Sequence, residues 1–147
     1  MIEVSNIGAG LKIKLDEYAF HPTRAHSTDA GLDICTPSTV GIDPRSSVVI
    51  DSGVHVQLPP GTVGMLKSKS GLNVKYGITS EGVIDEGYTG EIKVKLYNHS
   101  DQTIILQAGN KITQLVILPV IVPEYIEYVD ELDSSERGNK GFGSSGR

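Results

Sequence analysis

Ile92-Lys93-Val94-Lys95-Leu96 alternates apolar and charged residues without a break. Successive side chains of a strand point to opposite faces, so this run offers one apolar face and one cationic face. The same period recurs in Leu11-Lys12-Ile13-Lys14-Leu15 and in Val54-His55-Val56-Gln57-Leu58. All three read as half-buried strands. Val48–Ile50 and Thr103–Leu106 are shorter apolar runs of the same kind. Turn residues separate them at Asp43-Pro44, Pro59-Pro60-Gly61, Asn98–Asp101 and Ala108-Gly109-Asn110. Ile112–Val122 is the most apolar stretch, and Pro119 and Pro123 exclude a helix there. It reads as a buried strand or strand pair. One short helix is expected, with Ser70 as cap, Gly71–Lys75 as body and Gly77 as stop. Close-spaced strands without a long helical pattern indicate an all-β sandwich or barrel.

The chain has 147 residues, which suggests one domain large enough to bury a core without staples. A single cysteine, Cys35, excludes an internal disulfide and reads as a small core residue. No signal peptide or membrane-spanning apolar run is evident, so a soluble, cytoplasmic protein is expected. A net charge of −5 argues against nucleic acid and leaves an anionic ligand dependent on local cations. Lys67, Lys69 and Lys75 supply one group; Arg137, Lys140 and Arg147 supply another. Residues 124–136 are acidic, and the chain from about residue 131 reads as a flexible arm on a 1–130 domain.

Four segments carry possible chemistry. Gly141-x-Gly143-x-x-Gly146 has the glycine spacing of a dinucleotide loop, but only one residue follows and no helix opens there. What remains is a loop of exposed N–H groups, cations and one ring, Phe142, suited to closing over a polyphosphate. Gly82-Val83-Ile84-Asp85-Glu86-Gly87-Tyr88 brackets an acid and a tyrosine with glycines. Asp85 would be a buried carboxylate at a strand end and a candidate general base, against the alternative of a turn cap. Lys69-Ser70-Gly71 places a cation, a hydroxyl and N–H groups at a helix start, or is a plain cap. Asp29 and Asp33, four apart, could hold a hydrated Mg²⁺, or belong to a turn. The four histidines show no metal-ligand spacing, and no Walker phosphate loop occurs.

Taken together, these segments resemble the trimeric dUTP pyrophosphatase (dUTPase) family. Five motifs stand in the family's order: Ala30-Gly31-Leu32-Asp33, Lys69-Ser70-Gly71-Leu72, Gly82 through Tyr88 and on to Asn98, Gly109 through Leu115, and Arg137 through Gly146. The resemblance implies a jelly-roll β fold and a homotrimer with shared active sites. It implies hydrolysis of dUTP to dUMP and pyrophosphate with Mg²⁺, which keeps uracil out of DNA and supplies dUMP for dTMP synthesis. Asp85 would match the acid that activates water for attack on the α-phosphate. Tyr88 would match the ring that excludes a 2′-hydroxyl. Main chain at Gly82, Val83 and Ile84, with a preceding hairpin Thr79–Glu81, would match the uracil pocket. Lys69, Ser70, Gly71 and Gln114 would match phosphate contacts, and Lys93 falls in the substrate set. In the tail, Arg137 would match the γ-phosphate ligand and Phe142 the ring on uracil, with Gly143 and Ser144 beside it. Asp33 would match an outer-sphere partner of Mg²⁺, held mainly by substrate phosphates, or a partner of a basic side chain.

The second motif usually carries arginine where Lys69 stands, which exchanges a fork for a point charge. Ser145 stands where threonine is common. Two other readings compete. A dCTP deaminase of the same superfamily would need a water-activating glutamate, Glu81 or Glu91. A non-catalytic β-sandwich binding module would leave Asp85 and the tail without roles.

Overall fold

The computed structural model describes residues 10–146. Arg147 and residues 1–9, which begin the expected 1–130 domain, lie outside that range. Ten strands and one helix follow in order: β1 (Lys12–Leu15), β2 (Gly31–Cys35), β3 (Val40–Ile42), β4 (Ser47–Asp51), β5 (Val54–Gln57), β6 (Thr62–Lys67), α1 (Ser70–Tyr76), β7 (Ile78–Ile84), β8 (Lys93–Asn98), β9 (Ile104–Leu106) and β10 (Lys111–Pro119). The largest sheet has the order β2-β10-β6-β7-β8-β4, and β1-β5 and β3-β9 form two-stranded sheets. Every pairing is antiparallel.

The large sheet turns a corner inside β7. Ile78–Ser80 pair with β8, whereas Glu81–Ile84 pair with β6. A strand that changes partner midway is how one sheet folds over to face itself. The result is a curled, jelly-roll-like all-β domain with one short helix. The core fills the curl. Ile92, Val94 and Leu96 are fully buried while Lys93, Lys95 and Tyr97 between them face out, as the alternation requires. Ile34, Ile42, Val54, Val56, Leu66, Ile78, Ile112 and Leu115 close the same cluster. Each such side chain contributes on the order of 1.5–3 kcal/mol by leaving water. Asn98 sits buried among them because its amide nitrogen donates to the carbonyls of Ile42, Asp43 and Gln102.

Several expectations need correction. The Leu11–Leu15 face is only partly covered, and Ile13 remains 39% exposed. The apolar run 112–122 is one strand that ends at Pro119, and Ile121 and Val122 are exposed. Ser70 does not cap the helix. It is the first helical residue; Lys69 holds the cap position and no side-chain cap bond forms. Gly77 ends α1 in the left-handed region, φ 68°, as expected. Thr79–Glu81 is not a hairpin but the middle of β7, where the partner changes. No helix among the described residues is long and apolar enough to cross a membrane.

Candidate active site

The turn between β7 and β8 carries the most reactive-looking group. The Tyr88 N–H donates to the Asp85 carbonyl at 3.1 Å, and Gly87 takes φ 88°, a conformation glycine adopts without strain. The Tyr88 hydroxyl donates to the Glu91 carbonyl at 2.8 Å. Its ring lies on Gly90, where a Cβ would come within 2.6 Å of the hydroxyl oxygen. Gly90 is therefore the space into which Tyr88 fits. Val83, Ile84, Asp85, Tyr88, Glu91 and Lys93 line a shallow cavity of about 220 Å³. Asp85 follows the last residue of β7, as expected of a strand end, but its side chain is exposed rather than buried. It enters no ion pair among the described residues. Lys93 instead donates to Asp51 at 2.7 Å, and that bond raises its pKa above the ordinary lysine value.

A second group forms where β2, β6, β10 and the start of α1 meet. Asp33 is 4% exposed, in the middle of a strand. An aspartate is unfavourable there unless it is paired. It is paired twice: Lys69 Nζ lies 2.5 Å from Oδ1 and Lys111 Nζ lies 3.3 Å from Oδ2. Gln114 stands opposite Asp33 in the β2–β10 register and donates to the Ser68 carbonyl at 3.0 Å. Gly31 makes room for it, since a Cβ there would come within 1.9 Å of the Gln114 amide oxygen. Ser70 and Gly71 are exposed at the helix start beside Lys69. Asp29 does not join Asp33. It is half-buried and accepts from the His26 N–H at 2.9 Å, whereas Asp33 is held by the two lysines. Lys67 is engaged by Glu81 at 2.5 Å, and Lys75 is exposed in the last turn of α1.

The third group is the tail. Every residue from Ile121 to Gly146 is exposed, Phe142 completely. Three tight turns, closed by Lys140 N–H to Arg137, Ser144 N–H to Gly141 and Gly146 N–H to Gly143, shape it. Arg137 folds back to donate to the Lys140 carbonyl at 2.9 Å. Gly143 and Ser144 follow Phe142 in these turns.

Within one chain the Asp85 and Lys69 groups stand apart. Ser68 bonds to Ser80, which locates the Lys69 end of the fold along β7. Asp85 lies five residues further along that strand, roughly 16 Å at strand rise. Asp85 also borders an open groove of about 990 Å³ shared with Thr62, Val63 and Val120–Val122.

Tyr18, Asp16, His55 and Glu91 form a cluster that no local spacing announces. Donor atoms of Asp16, His55 and Glu91 lie within 4.8 Å of one another, although 75 residues separate the first from the last. Tyr18 donates to Glu91 at 3.0 Å, and this bond pushes the phenol pKa up to about 12. Cys35 is half-buried in β2, and burial raises its thiol pKa.

Residues 17–146 match the dUTPase family model. The chain is 45% identical to the deoxyuridine 5′-triphosphate nucleotidohydrolase of Nocardia farcinica over 129 residues, 85% of this chain and 78% of that one. It is 44% identical to the enzyme of that name from Clostridium acetobutylicum over 140 residues, 92% and 96% of the two chains. Among solved structures, a Staphylococcus bacteriophage 80alpha dUTPase with dUpNHpp superposes with TM-score 0.83 at 35% identity, covering 94% of this chain and 99% of that one. A mutant dUTPase of phage phi11 of S. aureus, described as coordinating a structural Mg(II) ion, matches with TM-score 0.78 at 32% identity over 85% and 99%.

Proposed function

The chain belongs to the dUTPase family, and from that premise we propose that it hydrolyses dUTP to dUMP and pyrophosphate by attack of an Asp85-activated water on the α-phosphate. The observation that carries the assignment is the cavity on the β7–β8 turn. An unpaired carboxylate, an oriented tyrosine ring and exposed main chain share one small space there. Asp85 accepts the proton of the attacking water. Phosphoryl transfer needs positioning and charge neutralisation more than a protein nucleophile, and no serine, threonine or cysteine lines this cavity. Uracil pairs with main chain at Gly82, Val83 and Ile84. The Tyr88 ring stacks beneath the sugar and leaves no space for a 2′-hydroxyl. A pocket of matched hydrogen bonds can discriminate by about 10⁴ or more, which suffices to separate uracil from cytosine.

Lys69, Ser70, Gly71 and Gln114 take the phosphates. About 16 Å along β7 separates the Lys69 end of this group from Asp85, so these residues serve the Asp85 of another copy. The exposed apolar run Ile121, Val122, Tyr125, Ile126, Tyr128 and Leu132 supports such an assembly, because an apolar strip of this length marks an interface. A homotrimer closes a head-to-tail ring of this kind. The arm then brings Arg137 to the γ-phosphate and Phe142, Gly143 and Ser144 over the base.

The donor chemistry fits Mg²⁺ carried by the substrate. Lysines rather than free carboxylates line the phosphate group, and the buried acid, Asp33, is taken by Lys69 and Lys111. When bound, the ion neutralises the triphosphate. Asp33 therefore acts on the ion only through the lysines it holds. Of the two glutamates that the deaminase reading offers, Glu81 pairs with Lys67, and Glu91 accepts from Tyr18 through one of its two carboxylate oxygens. The test is pyrophosphate release from dUTP, dCTP, dTTP and UTP, each with and without Mg²⁺. Release from dUTP alone supports the assignment. Ammonia from dCTP, or equal turnover of UTP, contradicts it.

A further inference from the structure

We propose that His55 is a positioning residue for the turn that carries Asp85 and Tyr88, holding it by a bond to the Thr89 carbonyl. The proposal rests on the reading of that turn as the catalytic one. His55 lies in β5 between the buried Val54 and Val56, opposite Lys14 of β1, so its backbone is fixed by the core. Its Nδ1 is 2.8 Å from the Thr89 carbonyl oxygen, and its Nε2 is 3.1 Å from Asp16 Oδ2. A carbonyl only accepts, so Nδ1 carries a proton. A carboxylate only accepts, so Nε2 carries one too whenever both bonds are made. The ring with both bonds is therefore the imidazolium.

Thr89 stands between Tyr88 and Gly90, and the next anchor is two residues beyond Thr89, where Tyr18 donates to the Glu91 side chain. The Glu91 carbonyl in turn accepts from the Tyr88 hydroxyl. The C-terminal half of the turn is thus fastened at two points to the β1–β5 side of the molecule. None of Asp16, Tyr18 or His55 falls in the glycine-bearing segments that carry the chemistry. The charged groups facing His55 are Asp16 and Lys14 from the β1 side and Glu91 from the turn. The Thr89 carbonyl first, then Asp16, hold the ring proton above the ordinary histidine pKa, and Lys14 opposes them.

The sign follows. A histidine whose pKa is raised by folding holds its full contribution below the unfolded value, near pH 6.5, and loses it as pH rises through the folded value. One of the two bonds must then break, and the turn is held less firmly at alkaline pH.

The experiment compares wild type with His55→Asn and His55→Ala. Asparagine keeps an N–H donor in the position of Nδ1 but does not titrate. Amide exchange across residues 85–91 is measured at pH 6 and pH 8 as protection relative to intrinsic rates, with β8 as internal reference. Loss of one partly exposed charged bond should lower protection of the wild-type turn about three- to tenfold at pH 8. His55→Asn should show no such pH step, and His55→Ala should be low at both pH values. Ring ¹⁵N shifts should show both His55 nitrogens protonated at pH 6. With dUTP and UTP as substrates, the wild-type preference for dUTP should fall over the same range, and that of His55→Asn should not. Exchange and ¹⁵N shifts need no turnover, so an inactive wild type would refute the proposed function while still judging His55. A neutral ring at pH 6, or equal protection in all three proteins, overturns the proposal. If His55→Ala does not fold, the wild-type and asparagine profiles decide alone.

Discussion

Asp33→Asn removes the charge that two lysines share at the junction of β2, β6 and β10. The carboxylate is nearly inaccessible, with Lys69 at 2.5 Å and Lys111 at 3.3 Å. Breaking a fully buried ion pair costs about 3–5 kcal/mol. Here the lysines are partly in water, 26% and 46% exposed, and rehydrate when released. Asparagine also keeps one acceptor oxygen for Lys69. The loss is therefore nearer that of one charged hydrogen bond, about 1.5–3 kcal/mol. For a domain of this size each kcal/mol moves Tm by about 2–4 °C, so Tm should fall by roughly 3–12 °C. Calorimetry at fixed protein concentration measures it, since oligomerisation makes Tm concentration-dependent. The same variant should raise KM for dUTP, because Lys69 no longer has a fixed position. A Tm within about 1 °C of wild type, together with an unchanged KM, would refute the view that Asp33 anchors the phosphate-binding lysine.

Lys69→Arg should be tolerated, because arginine bonds to both Asp33 and a phosphate; Lys69→Ala should raise KM by about one to two decades, the worth of a charge-assisted bond. An unaltered KM in the alanine variant would place Lys69 outside the site. Tyr88→Ala should raise kcat/KM for UTP relative to dUTP, and an unchanged ratio would mean that the sugar is read elsewhere. Deleting residues 137–147 should leave Tm unchanged, since the described part of this segment buries nothing in the chain, while single-turnover kcat falls through loss of closure. Full activity of the truncated enzyme would remove the arm from the mechanism.

The strands that carry period two were legible because one face meets the core and the other meets water: Ile92–Leu96 and Val54–Leu58 needed nothing beyond their own side chains. β2 was not legible in that way. Its central Asp33 is a poor strand residue, and what makes it tolerable arrives from Lys69 and Lys111, 36 and 78 positions away. Ile121 and Val122 were expected inside and lie outside, because a single sequence does not state whether an apolar face meets its own core or another copy. The five motifs pointed to the family, yet their order along the chain does not reveal that Asp85 and Lys69 stand on distant parts of β7 and its neighbours. The Tyr18–Glu91 and His55–Thr89 bonds close over 73 and 34 residues and carry no local signature at all.

The central claim is that Asp85 activates the water. Single-turnover release of pyrophosphate from dUTP with Mg²⁺, compared between wild type and Asp85→Asn, tests it most directly, with binding of dUpNHpp measured alongside. Asp85 is exposed and unpaired among the described residues, so asparagine should leave Tm and analogue affinity unchanged. The chemical rate should fall by roughly 10²–10⁴, the range for loss of a general base. An Asp85→Asn enzyme that binds the analogue normally and turns over dUTP at the wild-type rate would contradict the account.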